Sequence, residues 1–547
     1  MPKPALPALL STCSDRWAGD GDAIVHRLSR CTVTQVTTED LAARYGAAYK
    51  WYVTLTILMG LIAMIASATI VNVAMPDIMG EFGMGQDQAQ WLSTAFLASM
   101  TAAMLAATWA VKSFGNRGTY STALIAFALG SLLGAFSTND VILIVARIIQ
   151  GAAAGLAQPL GMVAMFQVFP ANRRGSAMGL YGMGVILAPA LGPTVGGMLI
   201  DNYSWHYVFF LGLPFCAVGL VFSSMFLATT TDSKRPPFDW LGFILLSVGI
   251  AAFLAGLSNG QRMGWDSTFV RGAFFLAAIT MSAFVVQERR SATPLLALEV
   301  YYNPRFVAAS VVGFILGMGV YGSTYLVPLF VQTIQGYTPT ESGLLLMPAG
   351  IVLGMVFPLA GQLSDRFPPY LLIFVGMALF GVSNYLMSYV DTDTAFWTFA
   401  WYVVIGRIGL GFILPSLNSG ALRVLDLHLI SDGAGAINFI RQLGGAIGVD
   451  VLSVYLERQT TFYAHEINTM QTGSHAGATT LHLIASALHR AGLAESAAVN
   501  EAHRFLSYMI AGQANVMGFR RSFLFAAVIF FVALLPTWYM RARKRSS

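Results

Sequence analysis

Apolar residues gather along the chain in windows of about 20, the length an α-helix needs to cross the ~30 Å hydrocarbon layer of a bilayer. Fourteen such windows recur, at about 51–75, 90–111, 119–137, 141–165, 176–200, 205–227, 239–258, 267–287, 306–332, 342–363, 369–390, 395–420, 433–456 and 522–540. They predict an all-α polytopic membrane protein. Most polar gaps are short, with two exceptions. The tail before the first window is soluble, and Thr37-Thr38-Glu39-Asp40 predicts a helix start there, with a capping hydroxyl and early acids. The gap at about 457–521 is long, and its Leu481, Ile484 and Leu488 predict a helix with one apolar face, lying on the membrane or on a partner.

Charge orients the spans. With the N-terminus taken as cytoplasmic, twenty-one lysines and arginines fall in the tails and inner connections, against Arg262 alone in the short outer ones. Basic residues are retained on the cytoplasmic side, so both termini are expected there, with the protein in the plasma (inner) membrane. The chain also repeats itself. Lys112 and Asp365 are 253 residues apart, Arg147 and Arg407 are 260 apart, and Gly196-Gly197 and Gly444-Gly445 are 248 apart. These offsets predict two six-helix bundles, 51–227 and 306–547, the second including the long outer gap. A cytoplasmic tail, 1–50, precedes them, and a linker, 228–305, inserts two further spans between them. Parallel halves of this kind enclose a binding site near the bilayer midplane.

Composition changes the picture by exclusion. The 547 residues are 56% hydrophobic and 10% charged, with mean hydropathy +0.65, which rules out a soluble fold. The net charge of +5 belongs to the membrane flanks and does not imply nucleic acid. Three cysteines are too few and scattered for a disulfide framework or metal cluster. Five of the eight histidines lie at 457–521, without ligand spacing. No hydrolase triad, phosphate loop or ATP-binding sequence is present, so the chain is expected to be no enzyme and to use no cofactor. Any pumping then draws on an ion gradient or on the substrate's own.

Candidate chemistry sits where polarity interrupts the spans. Residues 182–200 carry five glycines and two prolines. Gly192 and Gly196, four apart, let another backbone approach closely, as a helix sliding between two halves requires. A buried arginine costs about 2.5–3.5 kcal/mol on insertion scales. Arg147 nevertheless lies inside the fourth span, with Gln150 on the same face, and Arg407 lies in the twelfth. Arg441 and Asp450 share one helix but face opposite ways, so they cannot pair. Asp450 is the one carboxylate deep within a span, and it is either a titrating group or the fixed partner of an arginine. Gly361-Gln362-Leu363-Ser364-Asp365-Arg366 closes a span, either as a tight basic turn or as a charge latch on the inward gate.

Taken together these residues resemble a family. The stretch from about 51 to 540 is similar to the fourteen-helix drug:proton antiporters of the major facilitator superfamily, EmrB/QacA type. Thr69 to Pro76 resembles the family's first-helix ending, and Arg147, Gln150 and Gly151 its fourth-helix motif. Gly192, Pro193, Gly196 and Gly197 resemble its fifth-helix antiporter motif, and Arg441 to Gly445 and Gln513 to Phe523 its late signatures. There are departures. Ser67 stands where an aspartate is usual, Lys112 and Ser113 where an acid and an arginine are expected, and Arg521 where an aspartate is common. His206 and Gly212 replace polar residues usual around Trp205 and Pro214.

The resemblance implies export of bulky amphipathic compounds by alternating access, driven by proton exchange. In that reading Arg147 would position the proton, and Asp450, which stands where the family usually has a small residue, could be the titrating acid. Asn72, Gln150, Tyr321, Tyr325, Arg407 and Asn418 would line the substrate cavity, while Gly361, Asp365 and Arg366 join the glycines as gate elements. It also implies a periplasmic adaptor and an outer-membrane channel in a host with two membranes. Two other readings stand beside it. One is a narrow-specificity metabolite exporter or permease, suited to anions because arginines outnumber buried acids. The other is a non-transporting membrane sensor on the same fold.

Overall fold

The computed structural model describes residues 37–84, 86–229, 237–472 and 475–541; positions 1–36 and 542–547 of the two tails lie outside the described residues. The first helix, α1 (Thr38–Tyr45), opens where the sequence places it. Thr37 Oγ1 accepts the Asp40 amide and Asp40 Oδ2 accepts the Thr37 amide, a reciprocal capping box.

The first bundle is built from α2 (Tyr49–Phe82), α3 (Gln86–Ala135), α4 (Asp140–Val168), α5 (Arg174–Asn202), α6 (Tyr207–Phe210) and α7 (Gly212–Phe226). At 50 residues, α3 is two helices run together. It breaks at Gly115, whose φ of 70° favours glycine. Next come α8 (Trp240–Met263) and α9 (Thr268–Arg290), which pack on each other and touch α3 and a helix of the second bundle. Their Leu241, Ile244, Phe275 and Ile279 stay exposed, as side chains facing lipid do.

The second bundle comprises α10 (Pro304–Thr333), α11 (Pro339–Arg366), α12 (Pro369–Met387), α13 (Phe396–Arg423), α14 (Ile430–Thr472), α15 (His475–Arg490), α16 (Glu495–Val532) and α17 (Leu534–Tyr539). Among the described residues twelve helices are long and apolar enough to cross a membrane. The protein is therefore all-α, as the hydrophobic windows predict.

The gap at 457–521 is largely helical: α14 continues to Thr472, α15 follows, and α16 begins at Glu495. Between Val449 and Thr472 there is no glycine or proline to end α14, so the helix outlasts its apolar window. Gly492, with φ 104°, makes the turn into α16. The half-buried Leu481, Ile484 and Leu488 find cover within this chain, because α15 packs on α14 and α16.

The bundles meet along α5 with α11 and α13, and along α14 with α3 and α4. Glycines set how near they come. A Cβ at Gly175 would lie 2.5 Å from Gly361 O, one at Gly179 2.6 Å from Phe357 O, and one at Gly361 2.7 Å from Gly175 O.

Candidate functional site

Two polar assemblies stand out against the apolar spans, one inside the first bundle and one across the seam. The first is built on Arg147, which is fully buried. Its Nε donates to Leu92 O (3.1 Å), and its Nη1 donates to Ser67 O (3.1 Å), Ser67 Oγ (3.1 Å) and Gln150 Oε1 (3.0 Å). The Phe96 ring centroid lies 4.2 Å from the guanidinium carbon, and Gln150 is fixed in turn by Ser131 Oγ (2.9 Å). Such a close seat requires Gly151, where a Cβ would collide with the Phe96 carbonyl. Every acceptor here is neutral, and Nη2 has no partner among the described residues. Ser67, at the position where the resemblance leads one to expect an acid, supplies a hydroxyl and a carbonyl instead. The charge is solvated by dipoles and a ring face and is not neutralised.

The second assembly closes one end of the seam. Asp365 Oδ1 accepts the Gly175 amide (2.6 Å), and Oδ2 accepts the Ser176 amide (2.9 Å) and hydroxyl (2.7 Å). A carboxylate at the first turn of α5 is favoured by the positive end of that helix. Arg423 Nη2 donates to Asp365 Oδ1 at 3.1 Å, and Arg423 Nη1 to Ser364 O at 3.3 Å. Arg366, although adjacent, is exposed and makes no hydrogen bond or ion pair among the described residues. The cation of the latch is thus Arg423, which sequence reasoning counted only as a flanking charge.

A second ion pair joins the two bundles along α3 and α14. Lys112 Nζ lies 3.5 Å from Asp432 Oδ2 in the first turn of α14, where Asp432 is nearly buried. The acid missing at Lys112 is present across the seam, so the charges are exchanged between the bundles. Singly, Lys112→Asp would set two carboxylates together and should reduce the closed fraction of this seam by about tenfold or more. The double exchange Lys112→Asp with Asp432→Lys should recover most of it, as read by cysteine crosslinking between α3 and α14.

The remaining candidates separate by level. Asn418 is wholly buried, without partners for its amide among the described residues. Its neighbour in sequence, Ser419, meets Ser364 Oγ at 2.9 Å. Tyr321 donates to Gln442 Oε1 (3.0 Å), and Tyr325 pairs with Ser453 (3.2 Å), so both reach from α10 to α14. Asp450, on α14 between those partners, is half-buried and makes no hydrogen bond or ion pair among the described residues. Nor does it meet Arg147. Arg407 is likewise half-buried and unpaired. Arg441 donates to Asn438, which also meets Met162 Sδ of the first bundle at 3.1 Å. The side chains of Asn72 and Pro193 lie outside the described residues.

Gly192 and Gly196 do not face the other bundle. A Cβ at Gly192 would lie 2.8 Å from Thr69 Oγ1, one at Gly196 would strike Ile70, and one at Gly197 would only graze Val73 at 4.0 Å. They seat α5 on α2, within the first bundle, as Gly444 and Gly448 seat α14 on α10 in the second.

Residues 56–449 match the family model described as Major Facilitator Superfamily. The chain is 29% identical over 491 residues to the uncharacterized MFS-type transporter YhcA of Bacillus subtilis, covering 89% of this chain and 92% of that protein. It is 29% identical to the multidrug resistance protein B homolog of Mycobacterium tuberculosis, covering 72% and 73% respectively. Among solved structures, the proton:xylose symporter XylE superposes with a TM-score of 0.59 at 13% identity, over 90% of this chain and 96% of that one.

Proposed function

We propose that this chain, which belongs to the Major Facilitator Superfamily and so is a multi-pass membrane transporter of small molecules, exports amphipathic organic compounds by proton antiport. The observation that carries the reading is the Asp365 latch. It joins the two bundles by polar contacts that can break, between helices made smooth by Gly175, Gly179 and Gly361. A seam closed this way at one end suits alternating access. Relatives named for multidrug resistance support the substrate class. In this reading α3 crosses twice about Gly115 and α5 once, which gives fourteen crossings. Residues 51–227 and 306–547 are the moving bundles, and 228–305 is the insert between them. The latch end is cytoplasmic, as the basic residues imply, and the helices beyond the opposite face offer an adaptor its place to dock.

Asp450, on α14 between the partners of Tyr321 and Tyr325 and unpaired among the described residues, is the proton carrier in this proposal, and Arg147 holds the first bundle's side of the pathway. Asp450→Asn keeps size and polarity but cannot titrate. It should abolish accumulation against a gradient in vesicles while substrate binding persists, and wild-type pumping by the variant clears Asp450 of the role. For the function as a whole, an efflux-deficient host should gain resistance to amphipathic compounds, and an uncoupler should remove it. A panel with no such gain rejects the reading. Resistance to a single anionic compound would favour a narrow-specificity exporter, which the uncompensated Arg147 and Arg407 support. Reporters fused at residues 20 and 545 should both read cytoplasmic.

A further inference from the structure

At the latch end of the second bundle, a half-open cavity of about 1070 Å³ lies between the first turns of α10 and α12 and the last turns of α13 and α17. Arg305, Arg423 and Arg541 line it, with Tyr370, Trp538 and Tyr539. Among the described residues no acid lines it; Glu299 and Asp426 belong to a smaller neighbouring cavity of about 500 Å³, whose wall includes Arg305. Arg305 makes no side-chain hydrogen bond or ion pair among the described residues. Arg541 stands 5.1 Å over the Trp538 ring, and Arg423 is held by Asp365. The positive ends of α10 and α12 open here as well. The carbonyl ends of α13 and α17 are offset by Arg423 and Arg541. Arg543, Lys544 and Arg545 follow directly in the sequence.

The geometry points to a binding site for the phosphodiester headgroup of an anionic phospholipid. A guanidinium matches a phosphate with two parallel hydrogen bonds, and basic pockets between spans on the cytoplasmic side attract such headgroups. Trp538 and Tyr539 are exposed, at 57% and 63%, where the aromatic belt of a membrane protein lies. That placement favours a lipid over free phosphate. Arg423 ties the site to the gate, because a phosphate that draws Arg423 away takes a contact from Asp365. Bound anionic lipid therefore eases opening of the latch end.

The test uses the full-length protein in nanodiscs of phosphatidylcholine with or without phosphatidylglycerol, and counts retained lipid by native mass spectrometry. Wild type should retain phosphatidylglycerol over phosphatidylcholine. The double variant R305Q/R541Q should lose that preference by about tenfold or more, at the roughly 1 kcal/mol each basic residue contributes near an anionic surface. The charge-conserving R305K/R541K should keep it. Equal retention of both lipids by wild type, or an unchanged preference in R305Q/R541Q, overturns the proposal. Displacement of phosphatidylglycerol by millimolar inorganic phosphate, with equal stabilisation in neutral discs, would make the site one for soluble phosphate and reject the lipid. Should the double variant fail to insert, Arg541→Gln alone, at an exposed residue, should show about a fivefold loss.

Discussion

Replacing Gly361 with alanine should trap the transporter with its latch end open. The added methyl would sit 2.7 Å from Gly175 O and 3.1 Å from the Gly179 Cα, both backbone atoms that cannot swing aside. Overpacking of this kind costs about 1–3 kcal/mol. Because the clash exists only when the bundles meet, that cost falls on the closed state alone. The closed population should drop roughly five- to a hundredfold, and export with it. Cysteine labelling from the latch side reports the state directly. Gly197→Ala is the matched control, since its methyl meets nothing nearer than Val73 at 4.0 Å. Equal labelling of the two variants would show that the seam is not a close-packed gate.

The second large effect is expected at Asp365. Its carboxylate takes two amides, a hydroxyl and a guanidinium, all from residues outside α11. Hydrogen bonds to a charged group are worth about 1.5–3 kcal/mol each, though such values do not add. Asp365→Ala should therefore cost transport at least tenfold while leaving insertion intact, and Asp365→Asn somewhat less, because one oxygen still faces the Gly175 amide. Arg423→Ala should be milder, since Arg423 keeps 29% of its side-chain surface in solvent. A larger loss at Arg423 than at Asp365 would mean that the helix end, and not the carboxylate, holds the gate.

Much of this was legible in the chain, and the remainder fails for identifiable reasons. Spans follow from hydropathy alone, because lipid forbids exposed backbone. Asp365 was visible as an acid closing a span. Its true cation was not, because Arg423 lies 58 residues away and only packing brings it back. The Lys112–Asp432 pair is more distant still. The Gly192/Gly196 spacing announces a close approach but not to which helix, and the neighbour is α2 of the same bundle. Hydropathy also ends α14 too early, because a helix ends where its backbone is broken and not where its side chains turn polar.

That long helix has a mechanical consequence. From Ile430 to Thr472, α14 is 43 residues, or about 65 Å, with Asp432 near one end and the α15 hairpin at the other. A helix of that length that tilts as a rigid rod about its middle carries both ends with it. A tilt of about 10° displaces each tip by about 6 Å in opposite directions, at 1.5 Å of length per residue. On that geometry, a ligand that held the α15 hairpin still would also hold Asp432 against Lys112 at the other end.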